Sequence, residues 1–161
     1  MLVKPFGEID PDNLKDYYSG EITTSNRAIN VDLNFEETKI SKDNLLKVSN
    51  FIENINVFLE QAMKYISTDY DLGEDSETAQ EYLSHHLEYM GAEEVNSLFG
   101  TKEVNKQLYF SKLQVYRVGF YPEESEDFVI IDIQFPEEVT NYLMAVTLDS
   151  KFELSFIGMD S

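Results

Sequence analysis

The feature that most constrains the fold of this chain is a long apolar stripe at helical spacing. It follows Ser41, a residue type that often begins a helix. The apolar residues recur in steps of three and four, and they are Leu45, Val48, Ile52, Ile55, Leu59, Ala62 and Ile66. Phe51 and Phe58 widen the stripe beyond the narrow seam of two paired helices. We therefore predict one long helix over residues 41–66, packed on a sheet.

A second helix is predicted over residues 77–90, where Gly91 is placed to end it. Its core-facing side chains would be Tyr82, Leu83, His86, Leu87 and Met90. Apolar residues between Gly91 and Gly100 predict a further helical turn. The break between the two long helices falls in residues 68–76, which contain Gly73.

Strands are predicted before the helices. Residues 14–18 predict a short helical turn, and residues 20–24 and 28–35 predict two strands around the polar turn Ser25-Asn26. In the second strand apolar residues alternate with polar ones. This period of two is typical of a half-buried strand with one solvated face.

Four more strands are predicted after the helices, at residues 108–120, 128–135, 142–148 and 152–157. Their short polar connections favour an antiparallel meander. The order of strands, helices and strands again predicts an α+β fold, with a mostly antiparallel sheet and the long helix and second helix packed on one face. No linker or repeat divides the chain, so we treat residues 1–161 as a single acidic domain.

The chain is strongly acidic, with 31 Asp and Glu against 12 Lys and Arg and a formal net charge of −19. Leu, Ile, Val and Phe supply 48 of its 161 residues, well above the roughly 20% that marks a disordered chain. A negative field repels nucleic-acid phosphates and anionic lipid, so we expect neither nucleic acid nor a membrane as a partner. The same field attracts basic proteins.

Cysteine is absent, the N-terminal residues carry no secretory signal, and no apolar run is long enough to span a membrane. We therefore expect a cytoplasmic protein. There is no phosphate-binding loop and no nucleophile motif, so the sequence predicts no catalytic residue and no cofactor.

The acidic residues are concentrated in two spans without Lys or Arg, residues 65–101 and 118–150. The candidate partner-binding residues in these spans are Asp69, Asp71, Glu74, Asp75, Glu123, Glu124, Glu126 and Asp127. If the second helix and the strand connections share an edge, they would form one negative face. Two interpretations stay open: a docking face for a basic protein, and a solvated surface that only keeps the protein in solution.

A metal site is the alternative that the second helix offers. Glu81, His85 and Glu88 lie about one turn apart on one face of the helix. Mixed carboxylate and imidazole ligands can hold a divalent metal. A calcium loop over residues 69–80 is not supported. That motif requires Gly at its sixth position and Glu at its twelfth, whereas Gly73 falls at the fifth position and Gln80 at the twelfth.

Three motifs stand before the long helix. They are Phe6-Gly7-Glu8-Ile9-Asp10, the pair Tyr17-Tyr18, and Ile29-Asn30-Val31-Asp32-Leu33-Asn34-Phe35. Together they resemble the bacterial domain-of-unknown-function family numbered two thousand and four, most strongly over residues 6–66. The resemblance implies an α+β domain without an established enzyme activity and without functional residues to carry over. It also implies a possible immunity role, which has been suggested for acidic families of this sort in polymorphic toxin systems.

The sequence as a whole predicts a non-enzymatic, protein-binding domain, and in its narrower form an immunity-type inhibitor that covers the basic active site of a toxin. Two alternatives remain. One is a small metal-dependent enzyme that uses Glu81, His85 and Glu88. The other is a housekeeping oligomer that uses an exposed strand edge; the sequence leaves the oligomeric state open.

Overall fold

The computed structural model describes residues 1–24 and 27–161. These residues form eight strands, β1 Leu2–Val3, β2 Gly7–Glu8, β3 Tyr17–Thr23, β4 Ala28–Asn34, β5 Gln114–Phe120, β6 Val129–Gln134, β7 Leu143–Leu148 and β8 Leu154–Asp160. Between β4 and β5 they form five helices, α1 Lys42–Glu53, α2 Ile55–Asp71, α3 Ala79–Tyr89, α4 Ala92–Phe99 and α5 Lys106–Lys112, with a short 3₁₀ turn at Gly73–Asp75.

The strands form two sheets. β1 and β2 make a small antiparallel pair, and the other strands make a six-stranded sheet in the order β3-β4-β5-β6-β7-β8. Neighbouring strands of the larger sheet are antiparallel except β4 and β5, which run parallel. Parallel neighbours need a long crossover connection, and the helical region provides it. The predicted α+β fold class, with a mostly antiparallel sheet and a final meander, is confirmed.

One face of the six-stranded sheet carries apolar side chains and packs against the helices, and we call it the inner face. Phe51 of α1 meets Phe120 of β5 edge-on, with ring centroids 5.4 Å apart, and Phe58 of α2 stacks on Phe51 at 4.3 Å. The two phenylalanines that widen the helical stripe therefore pack toward the sheet, as the sequence predicts. The opposite face, which we call the outer face, carries mostly polar side chains.

The prediction of one long helix over residues 41–66 is wrong in one respect, because the structure has two helices there. Ser41 begins α1 as predicted, and its Oγ accepts a hydrogen bond from the N–H of Asn44 at 3.2 Å. At Asn54 the backbone leaves the helical range, with φ −110° and ψ 20°. The Asn54 side-chain amide donates to the carbonyl oxygen of Asn50 at 2.9 Å. Asparagine competes in this way with the regular helical hydrogen bonds, and α2 then continues to Asp71.

The strand predicted over residues 108–120 is wrong in its first part, which forms α5. Asn105 begins this helix, and its side-chain oxygen accepts a hydrogen bond from the N–H of Leu108 at 2.9 Å. A short apolar run has no period that separates a buried strand from a helix, so the capping asparagine decides the outcome. The strand itself begins at Gln114.

The short helical turn predicted over residues 14–18 is also wrong, because Tyr17 and Tyr18 begin β3. This strand pairs with β4 over its whole length, and its side chains alternate between exposed and half-buried. Pairing with β4 therefore outweighs the local cluster of apolar residues. The two strands predicted at 20–24 and 28–35 are confirmed as β3 and β4. The predicted turn Ser25-Asn26 lies outside the described residues.

The second predicted helix is confirmed as α3, although it begins at Ala79. The sequence predicts that Gly91 ends α3, but α3 ends at Tyr89 and Gly91 begins α4 instead. The N–H of Gly91 donates to the Glu94 carboxylate at 2.9 Å. Gly100 ends α4 with a φ of 73°, a conformation that glycine adopts without steric cost. The strands predicted after residue 127 correspond to β6, β7 and β8. Within the described ranges, no helix combines the length and apolar character needed to cross a membrane.

Candidate partner-binding surface

The first acidic segment contains one carboxylate that is committed to the fold. The Asp69 carboxylate accepts hydrogen bonds from Ser76 Oγ at 2.7 Å and from the N–H groups of Glu77, Thr78 and Ala79 at 3.1, 3.2 and 2.7 Å. The first N–H groups of a helix have no partner inside the helix, so Asp69 caps α3. Burial acts to raise the pKa of Asp69, but these hydrogen bonds outweigh it and lower that pKa below its ordinary value of 3.8.

The other carboxylates of this segment are exposed. Asp71 forms an ion pair with the Lys106 ammonium at 2.7 Å, in which the Asp71 side chain is 63% exposed. Glu74 and Asp75 lie in the 3₁₀ turn and are also exposed. Exposed ion pairs contribute little to stability, so these three residues are available to a partner.

The second acidic segment, the β5–β6 connection, divides in the same way. The two Glu123 carboxylate oxygens accept hydrogen bonds from the N–H groups of Glu36 and Glu37 at 2.7 and 2.9 Å. Glu123 therefore holds the chain that leaves β4. Glu124, Glu126 and Asp127 are exposed. Of the eight candidate residues, five thus present carboxylates to solvent without an ion pair inside the described chain: Glu74, Asp75, Glu124, Glu126 and Asp127.

Both acidic segments reach the same edge of the six-stranded sheet. Thr78, which follows the first segment, donates from Oγ1 to the carbonyl oxygen of Ile157 on β8 at 2.9 Å. Ser155 of β8 donates from Oγ to the carbonyl oxygen of Glu126 at 2.6 Å. Two segments that lie about fifty residues apart in the sequence are therefore neighbours of one edge strand.

The predicted metal ligands do not assemble. Within residues 1–24 and 27–161, no three His, Asp or Glu side chains form a group that could hold a metal ion. Glu81 and Glu88 are exposed, while the ring of His85 lies against Tyr89 and Tyr142, with centroids 4.6 and 4.5 Å away. The three side chains do not form a ligand group among the described residues, so the Glu81–His85–Glu88 interpretation is not supported.

The other histidine, His86, lies on the buried side of α3. Its Nδ1 lies 2.7 Å from the carbonyl oxygen of Tyr82. Because a carbonyl oxygen only accepts, Nδ1 carries the proton and Nε2 is the bare nitrogen of a neutral ring. Nε2 is buried and has no hydrogen-bond partner among the described residues. Burial, aided by the charge of His85, lowers the pKa of His86 although the hydrogen bond to Tyr82 acts to raise it.

The outer face carries an ionic cluster that the sequence does not predict. The Arg117 guanidinium on β5 binds both carboxylate oxygens of Asp32 on β4, at 2.5 and 2.7 Å, and one oxygen of Asp132 on β6 at 3.0 Å. Arg117 also donates to Tyr121 Oη at 2.9 Å, and Asn34 donates to Asp32 at 2.6 Å. Burial alone would lower the pKa of Arg117, but its hydrogen bonds and the charge of Asp32 raise it. The cluster therefore ties the three central strands together.

Gly119 makes room for this cluster. A Cβ atom at Gly119 would lie 2.6 Å from Nη2 of Arg117 and 2.9 Å from its Cζ, well inside van der Waals contact. The guanidinium therefore lies flat across the backbone of β5 at this glycine. A single missing side chain allows Arg117 to reach Asp32 and Tyr121 together.

A shallow groove runs beside the cluster along β3, β4 and β5. It has a volume of about 500 Å³, and its lining includes Tyr17, Ser19, Glu21, Asn30, Asp32, Tyr116 and Arg117. A neighbouring groove of about 300 Å³ shares Glu21, Asn30 and Tyr116 and adds Glu137 and Glu138. A hydrogen bond to Glu137 raises the pKa of the Tyr116 hydroxyl. Tyrosine and carboxylate side chains thus line the outer face near β3.

One sequence pattern points to this part of the outer face. The alternation in residues 28–35 places Asn30, Asp32 and Asn34 on one side of β4, which the sequence analysis assigns to a solvated face. Asn30 is exposed, but Asp32 is only 4% exposed because Arg117 covers it. The alternation therefore identifies the correct side chains, whereas their partner lies eighty-five residues further along the chain.

Comparisons of this chain with protein-family models, with curated proteins and with solved structures found no match. The resemblance over residues 6–66 therefore stays a prediction.

Proposed function

We propose that this chain is a non-enzymatic domain that binds a basic protein. The observation that carries the proposal is the uncompensated charge at the surface. The ion pairs of the described residues use only two cations, Lys106 and Arg117, and only three carboxylates, Asp71, Asp32 and Asp132. Ion pairing inside the chain leaves the formal net charge of −19 unchanged, and it engages few of the carboxylates, so most of them act on the surroundings.

A field of this kind acts mainly on the rate of encounter with a partner. Surface charge concentrates molecules of opposite charge and raises the association rate, and salt screens the effect over a Debye length of about 8 Å at physiological ionic strength. Glu124, Glu126 and Asp127 stand together in one connection and would contribute strongly to this attraction. An immunity-type inhibitor, which must reach a basic toxin quickly, is the narrower form of the proposal.

The experiment uses the protein encoded by the neighbouring reading frame as the probe, where that protein is basic. We expect it to be retained by the immobilised chain at about 50 mM salt, and we expect the association rate to fall steeply as salt rises. If that product is basic and is not retained at low salt, the proposal fails.

A charge variant tests the part played by the exposed connection. We expect the triple substitution Glu124→Gln, Glu126→Gln and Asp127→Asn to slow association with the same probe by about tenfold at low salt, with little change in the dissociation rate. The matched control, Glu53→Gln, Glu60→Gln and Glu93→Gln, removes the same charge from exposed helix positions. Equal slowing by both variants would show that only the net charge matters and that the predicted set has no special role.

A further inference from the structure

β3 is an edge strand whose outward backbone groups have no hydrogen-bond partner among the described residues. The ladder between β3 and β4 is closed at its ends by hydrogen bonds from Thr24 N–H to the Arg27 carbonyl and from Phe35 N–H to the Asp16 carbonyl, each 2.9 Å long. Hydrogen-bonded pairs alternate along an antiparallel ladder, so the even-numbered residues of β3 bond to β4. The residues whose N–H and C=O groups point away from β4 are Tyr17, Ser19, Glu21 and Thr23.

No hydrogen bond from the described residues reaches those outward backbone groups. The side chains of the same four residues are exposed on the outer face. The ladder between β3 and β4 contains seven consecutive pairs without a bulge. Natural proteins usually protect such an edge with bulges, charges or a covering segment, and β3 carries only one charged residue, Glu21.

The other edge of the sheet, β8, has the protection that β3 lacks. Ser155 is an extra residue opposite the Thr147–Leu148 step and forms a bulge. The hydroxyl of Thr78 covers the edge at Ile157. Pro5 lies against β3 at Gly20, where its ring carbons would be 2.5 and 3.0 Å from an added Cβ, but the outward backbone groups of β3 have no partner among the described residues. Because β8 is protected and β3 is regular with free outward backbone groups, this bare edge is suited to accept a further strand.

We propose that an extended segment of a basic protein adds to the β3 edge as a seventh strand, with Lys or Arg side chains at alternate positions on the outer face. This inference rests on the proposed function, since the basic partner is the same. An added strand lies about 4.8 Å from β3, and its residues opposite Tyr17, Ser19, Glu21 and Thr23 point to the same face as those residues. A cationic side chain there meets the Glu21 carboxylate and the exposed Tyr17 ring.

Charge decides between a basic segment and a second copy of this chain. Two copies would bring two net charges of −19 together, and like charges oppose association. The cations nearest the ends of β3 contact uncharged groups: Lys15 lies over the Tyr18 ring, 5.8 Å from its centroid, and Arg27 donates to Gln114. The negative charge that an incoming basic strand meets comes from Glu21, with Glu137 and Glu138 in the neighbouring groove, which Arg27 also lines.

The probe is a labelled peptide of about ten residues that alternates Lys and Thr, and fluorescence anisotropy measures its dissociation constant. A peptide of the same composition with all Lys in one block is the control. It has the same charge, but as a strand it places only every other Lys on a given face, whereas the alternating peptide places all of them on one face. We expect the alternating peptide to bind at least about tenfold more tightly. Equal binding of the two peptides would overturn the inference.

A proline variant of the protein tests the backbone contact. Ser19→Pro removes an outward N–H that does not bond to β4 and so leaves the ladder with β4 complete. We expect it to weaken binding of the alternating peptide by at least about tenfold, while Ser19→Ala changes it by less than about twofold. If Ser19→Pro does not fold, Glu21→Lys provides the second test, and it should weaken binding to a similar extent through charge.

The outcomes separate this inference from the proposed function. Unchanged peptide binding by both Ser19→Pro and Glu21→Lys, while the basic neighbour protein is still retained, overturns the strand addition and leaves the proposed function standing. A dimer in solution that Ser19→Pro dissociates also overturns it, because a second copy would then occupy the edge. Failure to retain any basic probe at low salt overturns both.

Discussion

The two edge strands of the six-stranded sheet lie in different surroundings. β8 has a bulge at Ser155, and the carbonyl oxygen of Ile157 on β8 accepts a hydrogen bond from Thr78. The two acidic segments lie beside this strand. β3 is regular, has no bulge, and carries a single carboxylate at Glu21. The protections that natural sheets use against edge-to-edge association are therefore concentrated on one side of this molecule.

This difference assigns separate roles to the acidic connections and to the bare edge. Under the proposed function, carboxylates beside β8 would repel other copies of the chain at that edge, and their field would attract basic proteins from a distance. The β3 edge offers short-range, directional hydrogen bonds. Charge at the rim of an interface chiefly sets the association rate, whereas close contacts chiefly set the dissociation rate. The two regions would then act at successive stages of one binding event.

Arg117 joins the two halves of the sheet, and its removal should have the largest effect. Arg117→Met would leave the buried carboxylates of Asp32 and Asp132 without a counter-charge. We expect the free energy of unfolding, measured with urea, to fall by about 3–5 kcal/mol. Both edges should lose hydrogen-exchange protection together, because the cluster lies between them. Arg27→Met is the control, and it should cost less than about 1 kcal/mol. A loss of similar size in both variants would contradict the role of the cluster.

Asp69 caps α3, and Thr78 at the start of that helix bonds to β8, so removal of Asp69 should have an intermediate effect. Asp69→Ala would leave the first N–H groups of α3 without their carboxylate and lower the free energy of unfolding by about 2 kcal/mol. Amide exchange should rise in β8 and not in β3, because α3 contacts β8 through Thr78. Asp71→Ala removes an exposed ion pair and should cost under about 1 kcal/mol.

Because the pKa of Asp69 is lowered in the folded chain, the stabilisation that its carboxylate provides depends on pH. The carboxylate binds protons less readily in the folded chain than in the unfolded one. Its stabilisation is therefore complete well above pH 3.8 and is lost as the pH falls below that value. If urea titrations show that wild-type protein and Asp69→Ala differ by as much at pH 2 as at pH 7, the capping role is refuted.

His86 should give the smallest effect, near the ring contacts that it makes with Phe135 and Tyr142. Its pKa is lowered by burial, so the unfolded chain takes up a proton more readily than the folded one. Stability should be fully present above about pH 6.5, the ordinary histidine value, and should decrease as the pH falls below it. His86→Phe should remove this part of the pH dependence in thermal melts between about pH 7.5 and 5.5. Identical slopes for both proteins would contradict the assignment of a neutral, buried ring.

The helices and most of the strands could be predicted because local patterns determine them. The stripe from Leu45 to Ile66 places two helices on the sheet even though Asn54 interrupts it. The alternation in β4 identifies its two faces. The apolar run at Leu108–Phe110 fits either a strand or a helix, and a single cap at Asn105 separates the two. Local pattern therefore predicts elements well where a periodic segment is long, and poorly where a segment is short and a capping residue determines its structure.

The surfaces could be predicted only in part, because carboxylates with similar sequence surroundings meet different partners. Asp69 and Glu74 both stand in an acidic segment, yet Asp69 accepts four hydrogen bonds from the fold and Glu74 is exposed. The difference depends on where the following helix begins in space. The bare edge of β3 is likewise invisible in the sequence, because strand order decides which strand lacks a neighbour.

The most direct measurement of the central claim is residue-resolved amide exchange across β3 and β8, with and without the alternating Lys–Thr peptide. In the free protein we expect fast exchange at Ser19 and Glu21 and slow exchange at Gly20 and Ile22. Saturating peptide should slow exchange at Ser19 and Glu21 and leave β8 unchanged. Protection that appears in β8, or an unchanged β3, would contradict the account.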